Sequence, residues 1–320
     1  MIKFILIFLA DLEKRVKKEK PEDQPQPELI EARYEDLKKE IEPYREEMPE
    51  PPSLVARAKA AVRNAANIVR NAYDNSVGYV VAQGQNWKTR RYYRKNPESE
   101  DKIVYLMHGL FQNEGSQRKL GKQIRKAGMH PYHLKGNHHL SRKESAEKAF
   151  EQIKKFHEDT KLKEPSERYD LGSGHSSGAD EMGHMAGDKR IREYGLRGGL
   201  QLRAPLPYGM PEKGRTIGQR LLAPLADKDD VKGVAGKRRA LETAARKPLV
   251  PVDVIAGRYD GLVPPSDAVY KHADHHYVID HPDSTHFGTS GVNKEMNEIF
   301  IKHLKGEFGE KPEKKYKKAA

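Results

Sequence analysis

The chain has no cysteine. Disulfides are impossible, a thiol nucleophile and Cys-ligated metal are excluded, and a reducing cytoplasm is favoured. Apolar runs of membrane-spanning length are also lacking. The most apolar stretch, Met1 to Ala10, has ten residues, where a bilayer-crossing helix needs about 20. As an export signal it is poor, because Phe8 stands where a cleavage site needs a small residue. Superficial contact with a membrane or partner, or packing on the protein's own surface, is expected instead.

What is present centres on Gly174-His175-Ser176-Ser177-Gly178. A serine held at the tip of a sharp strand-to-helix turn needs residues without a Cβ two positions away on either side, since any Cβ there would meet the neighbouring strand or incoming helix. The context has the required order. Arg168 to Ser173 reads as a short strand, and Met182, Met185 and Ala186 recur at helical spacing up to a stop near Gly187-Asp188. Ser176 is therefore the candidate nucleophile.

Other fragments fit the same chemistry. Ile103 to Met107 reads as a buried strand running into His108-Gly109-Leu110-Phe111, where a turn can aim a backbone N–H at a developing oxyanion. The donors would be the N–H groups of Leu110 and Ser177, so side-chain identity there is nearly free. Leu249 to Ala256 reads as a strand leading to Gly257 and Asp260. His276 to Asp280 is another, and its following loop carries His286. Serine, aspartate and histidine thus occur in the order of one known triad arrangement, each beyond a strand end.

Over about residues 77 to 308 the chain resembles the α/β-hydrolases, and among them lipase- and esterase-like members with His-Gly and Gly-His-Ser-x-Gly signatures. The family's Gly-x-x-Asp-x-x-Val-Pro run is matched by Gly257, Asp260, Val263 and Pro264, which carries the acid role onto Asp260. His286-Phe287-Gly288 matches the motif around the family's histidine, with Thr285 where a small residue is common. The resemblance implies catalytic Ser176, Asp260 and His286, an oxyanion hole at Leu110 and Ser177, a small-molecule ester substrate, and no cofactor or metal. Asp283 and His281 are the rival acid and base. A serine nucleophile argues against dehalogenase and epoxide hydrolase chemistry. Amidase, thioesterase or acyltransferase activity would use the same triad, and a non-catalytic binding or scaffold protein could keep the fold.

The expected fold is α/β, a mostly parallel sheet flanked by helices, with an N-terminal helical extension and a cap insertion. Residues 1–76 form the extension, 77–308 the catalytic domain and 309–320 a basic tail. Helical patterns cover 114–127 and 143–158, with short strands at His130 to Leu134 and Leu200 to Leu202. Tyr79-Val80-Val81 and Thr89 to Tyr93, separated by Gln83-Gly84-Gln85-Asn86, read as an antiparallel hairpin at the sheet's entrance. Residues 206–247 are the cap or lid, with ten basic and five acidic residues. Its few large apolar anchors argue against a deep channel for long acyl chains.

In the extension, Ile30, Tyr34, Leu37, Ile41 and Tyr44 make an apolar stripe two heptads long. It is expected to pair, as a helical hairpin, with a helix at 53–73 whose Val55, Val62, Ile68, Val69 and Tyr73 form a second face. The net charge is +12, and since residues 11–50 carry −5, the remainder carries +17. Anionic partners are favoured. The basic, aromatic run Trp87 to Lys95 has the composition of a nucleic-acid surface, yet fits a solvated strand face better, so nucleic acid is not expected. A protein partner or membrane surface remains the candidate contact of the N-terminal region, on a cytoplasmic, peripherally membrane-associated protein. His130, His133, His138 and His139, and His272, His275 and His276, reproduce no zinc pattern.

Overall fold

The computed structural model describes residues 27–50, 52–109, 112–136, 142–208 and 233–307. Six strands form one parallel sheet: β1 (Ile103–Met107), β2 (His130–Leu134), β3 (Leu171–His175), β4 (Gly199–Arg203), β5 (Val252–Gly257) and β6 (His275–Ile279), in the order β2-β1-β3-β4-β5-β6. The helices are α1 (Pro27–Glu46), α2 (Leu54–Lys95), α3 (Arg118–Lys126), α4 (Arg142–Thr160), α5 (Ser177–Ala186), α6 (Arg190–Glu193), α7 (Gly233–Ala245) and α8 (Lys294–Leu304).

A parallel sheet must be covered on both faces, and the alternation in β1 shows how. Ile103, Tyr105 and Met107 join one core with Phe150 and Phe156 of α4 and Met182 and Met185 of α5. Val104 and Leu106 join the other with Leu120 and Ile124 of α3 and Met296 and Phe300 of α8. Parallel registers such as Met107↔Gly174 and His175↔Arg203 bring the C-terminal ends of β1, β3 and β4 level. Loops leaving those ends therefore meet at one edge, where an open α/β sheet places its site.

The main correction concerns residues 79–93. No antiparallel hairpin forms there: α2 runs unbroken for 42 residues, through positions 76 and 77 and through Gly84. Gly84 read as a turn signal, but a single glycine costs a helix interior only about 1 kcal/mol. Tertiary contact decides the outcome. Asn86 donates its side-chain N–H to the carbonyl of His133 and accepts from the His133 N–H, at 2.9 and 2.7 Å. Thr89 donates to the carbonyl of Pro131 at 2.7 Å. Side chains of α2 thus satisfy the edge of β2 that a hairpin strand would have paired. Gly78 and Gly115 let the helix come this close, since a Cβ on Gly115 would lie 2.4 Å from the carbonyl oxygen of Asp74. Asn86→Leu leaves two buried peptide groups unpaired, and should cost about 3 kcal/mol in urea unfolding.

The expected stripe on α1 is present, with Ile30, Leu37 and Ile41 buried, but its partner differs. Leu37 and Ile41 enter the main core, and α1 packs on α7 rather than back on α2. Tyr34 donates to the carbonyl of Tyr208, and Glu31 and Glu40 pair with Lys237 and Lys271. The N-terminal helix is therefore joined to Tyr208 and α7, within the expected cap, and to Lys271 beyond it. Of the expected cap, Leu206 to Tyr208 and α7 are described. Residues 209–232, the apolar stretch Met1 to Ala10, Leu110, His138, His139 and the basic tail lie outside the described residues. Among the described residues no helix is long and apolar enough to cross a membrane.

Burial holds several histidines neutral. It lowers His133 to about 3, and His157 and His276 to about 4, from 6.5. The unfolded chain, titrating near the ordinary value, then binds more protons than the folded one between those limits. Stability is complete above about pH 6.5 and falls as the pH drops toward 4, by up to about 1.4 kcal/mol per pH unit for each histidine. The urea midpoint should fall steadily between pH 6.5 and 5; a flat profile would contradict these environments.

Candidate active site

Ser176 follows the last residue of β3 and precedes the first of α5, with φ 53° and ψ −125°. A side chain at such a positive φ is strained by about 1–3 kcal/mol. The turn is tight enough to require its glycines. A Cβ on Gly174 would lie 2.5 Å from the carbonyl oxygen of Gly178, and one on Gly178 would lie 2.3 Å from that of His108. The first collision is with the incoming helix and the second with the end of the neighbouring strand. Ser177 opens α5, so its N–H lies in the first helical turn, where such groups have no intrahelical acceptor.

His286 and Asp260 are both buried, and His286 Nδ1 lies 2.9 Å from Asp260 Oδ2. Asp260 Oδ1 accepts the N–H groups of Leu262 and Val263, at 2.9 and 2.7 Å. With Oδ1 so engaged, Oδ2 is the oxygen that faces the imidazole, and an N–H donated to it from Nδ1 leaves Nε2 as the free ring nitrogen. The rivals sit in a separate group. His281 Nδ1 accepts from the Asp283 N–H, and Nε2 lies 3.3 Å from Glu295. Among the described residues these three bring ligand-type atoms within 4.8 Å of one another.

The serine turn and the histidine loop are joined from behind. His175 is buried and its Nε2 bonds the His286 carbonyl at 2.9 Å. Burial lowers its pKa well below the ordinary value, so it serves as a neutral donor to that carbonyl. Thr289 donates to the same carbonyl, and Arg203, fully buried and lowered to about 9 by desolvation, donates to the carbonyl of Thr289. Of the two expected oxyanion donors, Leu110 lies outside the described residues. The turn before it is defined: Gly109 donates to Gln112 Oε1 at 2.9 Å, and a Cβ on Gly109 would come within 3.0 Å of the Ser176 Cβ.

Sequence reasoning missed the role of α2 here. Asn67 donates to Thr285, Asn64 accepts the Phe287 N–H, and Asn71 accepts from Gln112. The helix thus holds both flanks of His286 and braces the Gly109 turn. The available signal was the recurrence of Asn64, Asn67, Asn71 and Asn75 at helical spacing. Of the histidines considered for zinc, His272 bonds the carbonyl of Ala244, His275 bonds Asp253 and His276 accepts the Tyr270 N–H.

The strand order, the strained serine between β3 and α5, and the acid and histidine beyond β5 and β6 define an α/β-hydrolase fold. No family profile matches the chain, and no curated protein matches it. Its structural neighbours include esterases and lipases of that superfamily. An esterase from the archaeon Pyrobaculum calidifontis is 11% identical with a TM-score of 0.46, covering 80% of this chain and 97% of its own. A soluble variant of the monoglyceride lipase of Saccharomyces cerevisiae is 14% identical with a TM-score of 0.45, covering 66% and 88%. An extracellular α/β-hydrolase from a Paenibacillus species is 13% identical with a TM-score of 0.40, covering 66% and 100%.

Proposed function

We propose that the protein is a serine hydrolase of carboxylic esters, with Ser176 as nucleophile, His286 as general base and acid, and Asp260 as its orienting carboxylate. The reading is carried by the strained backbone of Ser176, set against the loop of a buried His–Asp pair. His286 Nε2 removes the Ser176 proton as Oγ attacks the carbonyl carbon. The N–H groups of Leu110 and Ser177 stabilise the tetrahedral oxyanion, which collapses and expels the alcohol. That alcohol leaves with the proton from His286. Water, deprotonated by the same base, then hydrolyses the acyl-enzyme, while Asp260 holds the imidazole and stabilises the imidazolium.

A fluorophosphonate probe tests the reading directly. Labelling at Ser176 in folded protein is expected, and its absence would favour the scaffold alternative. Labelling should abolish activity, and unlabelled protein should turn over p-nitrophenyl esters of short to medium acyl chains, in keeping with the polar cap. Preference for anilides or thioesters would move the assignment to amidase or thioesterase with the same residues.

A further inference from the structure

The helix α2 is amphipathic in the unusual sense: its polar face is docked and its apolar face is bare. Asn67, Asn71, Asp74, Asn86 and Thr89 are buried against the protein. On the opposite side Val55, Val62, Val69, Tyr73, Val80 and Trp87 are each between 55% and 74% exposed. Positions 55, 62 and 69 and positions 73, 80 and 87 repeat every seven residues, and 69 and 73 are four apart, so all six share one face. The stripe is about 48 Å long at 1.5 Å per residue. Monomeric soluble proteins rarely leave so long an apolar surface uncovered.

Charge indicates the occupant. The helix carries nine Lys and Arg, and among them Arg57, Lys59, Arg63, Arg70, Lys88 and Arg91 are exposed. Its one acidic residue, Asp74, is buried on the docked face and paired with Arg118 and Lys119. Two copies joined along the stripe would bring basic rows together with no carboxylate from either helix to match them. An anionic lipid surface supplies both requirements, hydrocarbon for the stripe and phosphates for the row of Lys59, Arg63, Arg70 and Lys88 along one border of it, and Trp87 suits the headgroup boundary.

We infer that α2 is a docking surface for anionic membranes, lying in the interface plane with Val55 to Trp87 facing the lipid. The side holding Asn64 and Asn67 then faces away from the lipid. The His286 loop is thereby suspended about one helix diameter, some 10 Å, above the interface.

The test is co-sedimentation of the full chain with vesicles of phosphatidylcholine alone or mixed equally with phosphatidylglycerol. Binding is expected only to the mixed vesicles and should weaken with salt. Combining Val62→Glu, Val69→Glu and Val80→Glu should weaken it about a hundredfold or more, with the melting temperature unchanged because these side chains make no buried contact. Combining Lys59→Gln, Arg63→Gln and Lys88→Gln should weaken it about fivefold per charge. The inference is overturned if the full chain stays in the supernatant, if binding survives the glutamates, or if phosphatidylcholine alone binds equally. It is also overturned if the chain is a dimer that the glutamates convert to monomer.

Discussion

Ser176→Ala is expected to lower kcat for a p-nitrophenyl ester by about 10⁴- to 10⁶-fold while leaving stability within about 0.5 kcal/mol of the parent. The large loss follows from the proposed role: without Oγ no acyl-enzyme forms, and only binding and the oxyanion donors remain. The small stability effect follows from the geometry. Alanine keeps the Cβ and so bears the same backbone strain at φ 53°, and the change deletes one half-buried oxygen. Adding His286→Ala to this variant should cost almost nothing further, because residues of one catalytic unit are not additive. Unchanged turnover in folded Ser176→Ala would remove Ser176 as the nucleophile.

Gly178→Ala should have the largest combined effect on stability and activity. Its added methyl would stand 2.3 Å from the carbonyl oxygen of His108 and 2.7 Å from that of Met107, and backbone cannot rotate away as a side-chain tip can. The start of α5 must move, carrying Ser176 and the Ser177 N–H with it. A loss of about 3–4 kcal/mol is expected in urea unfolding. Activity should fall by about 10²-fold or more even where the protein is still folded, since a displacement near 1 Å is enough. A parent-like unfolding midpoint would mean that the turn is looser than described.

Much of the sheet was legible. Ile103 to Met107 is apolar throughout because both faces of a central parallel strand are covered, and the strand has those bounds. The Gly-x-Ser-x-Gly turn was legible because backbone crowding, not side-chain packing, sets its glycines. Asp260 and His286 were named through a resemblance, and their 2.9 Å contact depends on two loops 26 residues apart that no local pattern places together. The helix α2 was misjudged for a physical reason. Val62, Val69 and Tyr73 were assigned inward because burial of apolar surface dominates most packing. Here the protein surface opposite offers unpaired peptide groups, the Asp74 partners and the loops around His286, and only a polar face answers them. Side-chain amides can stand in for a strand's own peptide groups, which hydrophobic periodicity does not register.

That substitution of Asn86 for a strand bears on how molecules of this protein meet in concentrated solution. An uncovered outer strand is a template on which another chain can lay its own backbone, and repetition of that step leads to fibrils. At β2 the template is stoppered, because the His133 peptide already has both partners from a helix that cannot be extended by strand addition. Asn86→Leu would leave the His133 peptide unpaired and weaken the hold of α2 on β2, so that the edge opens to another chain more often, and the variant should form thioflavin-positive aggregates at concentrations where the parent stays clear.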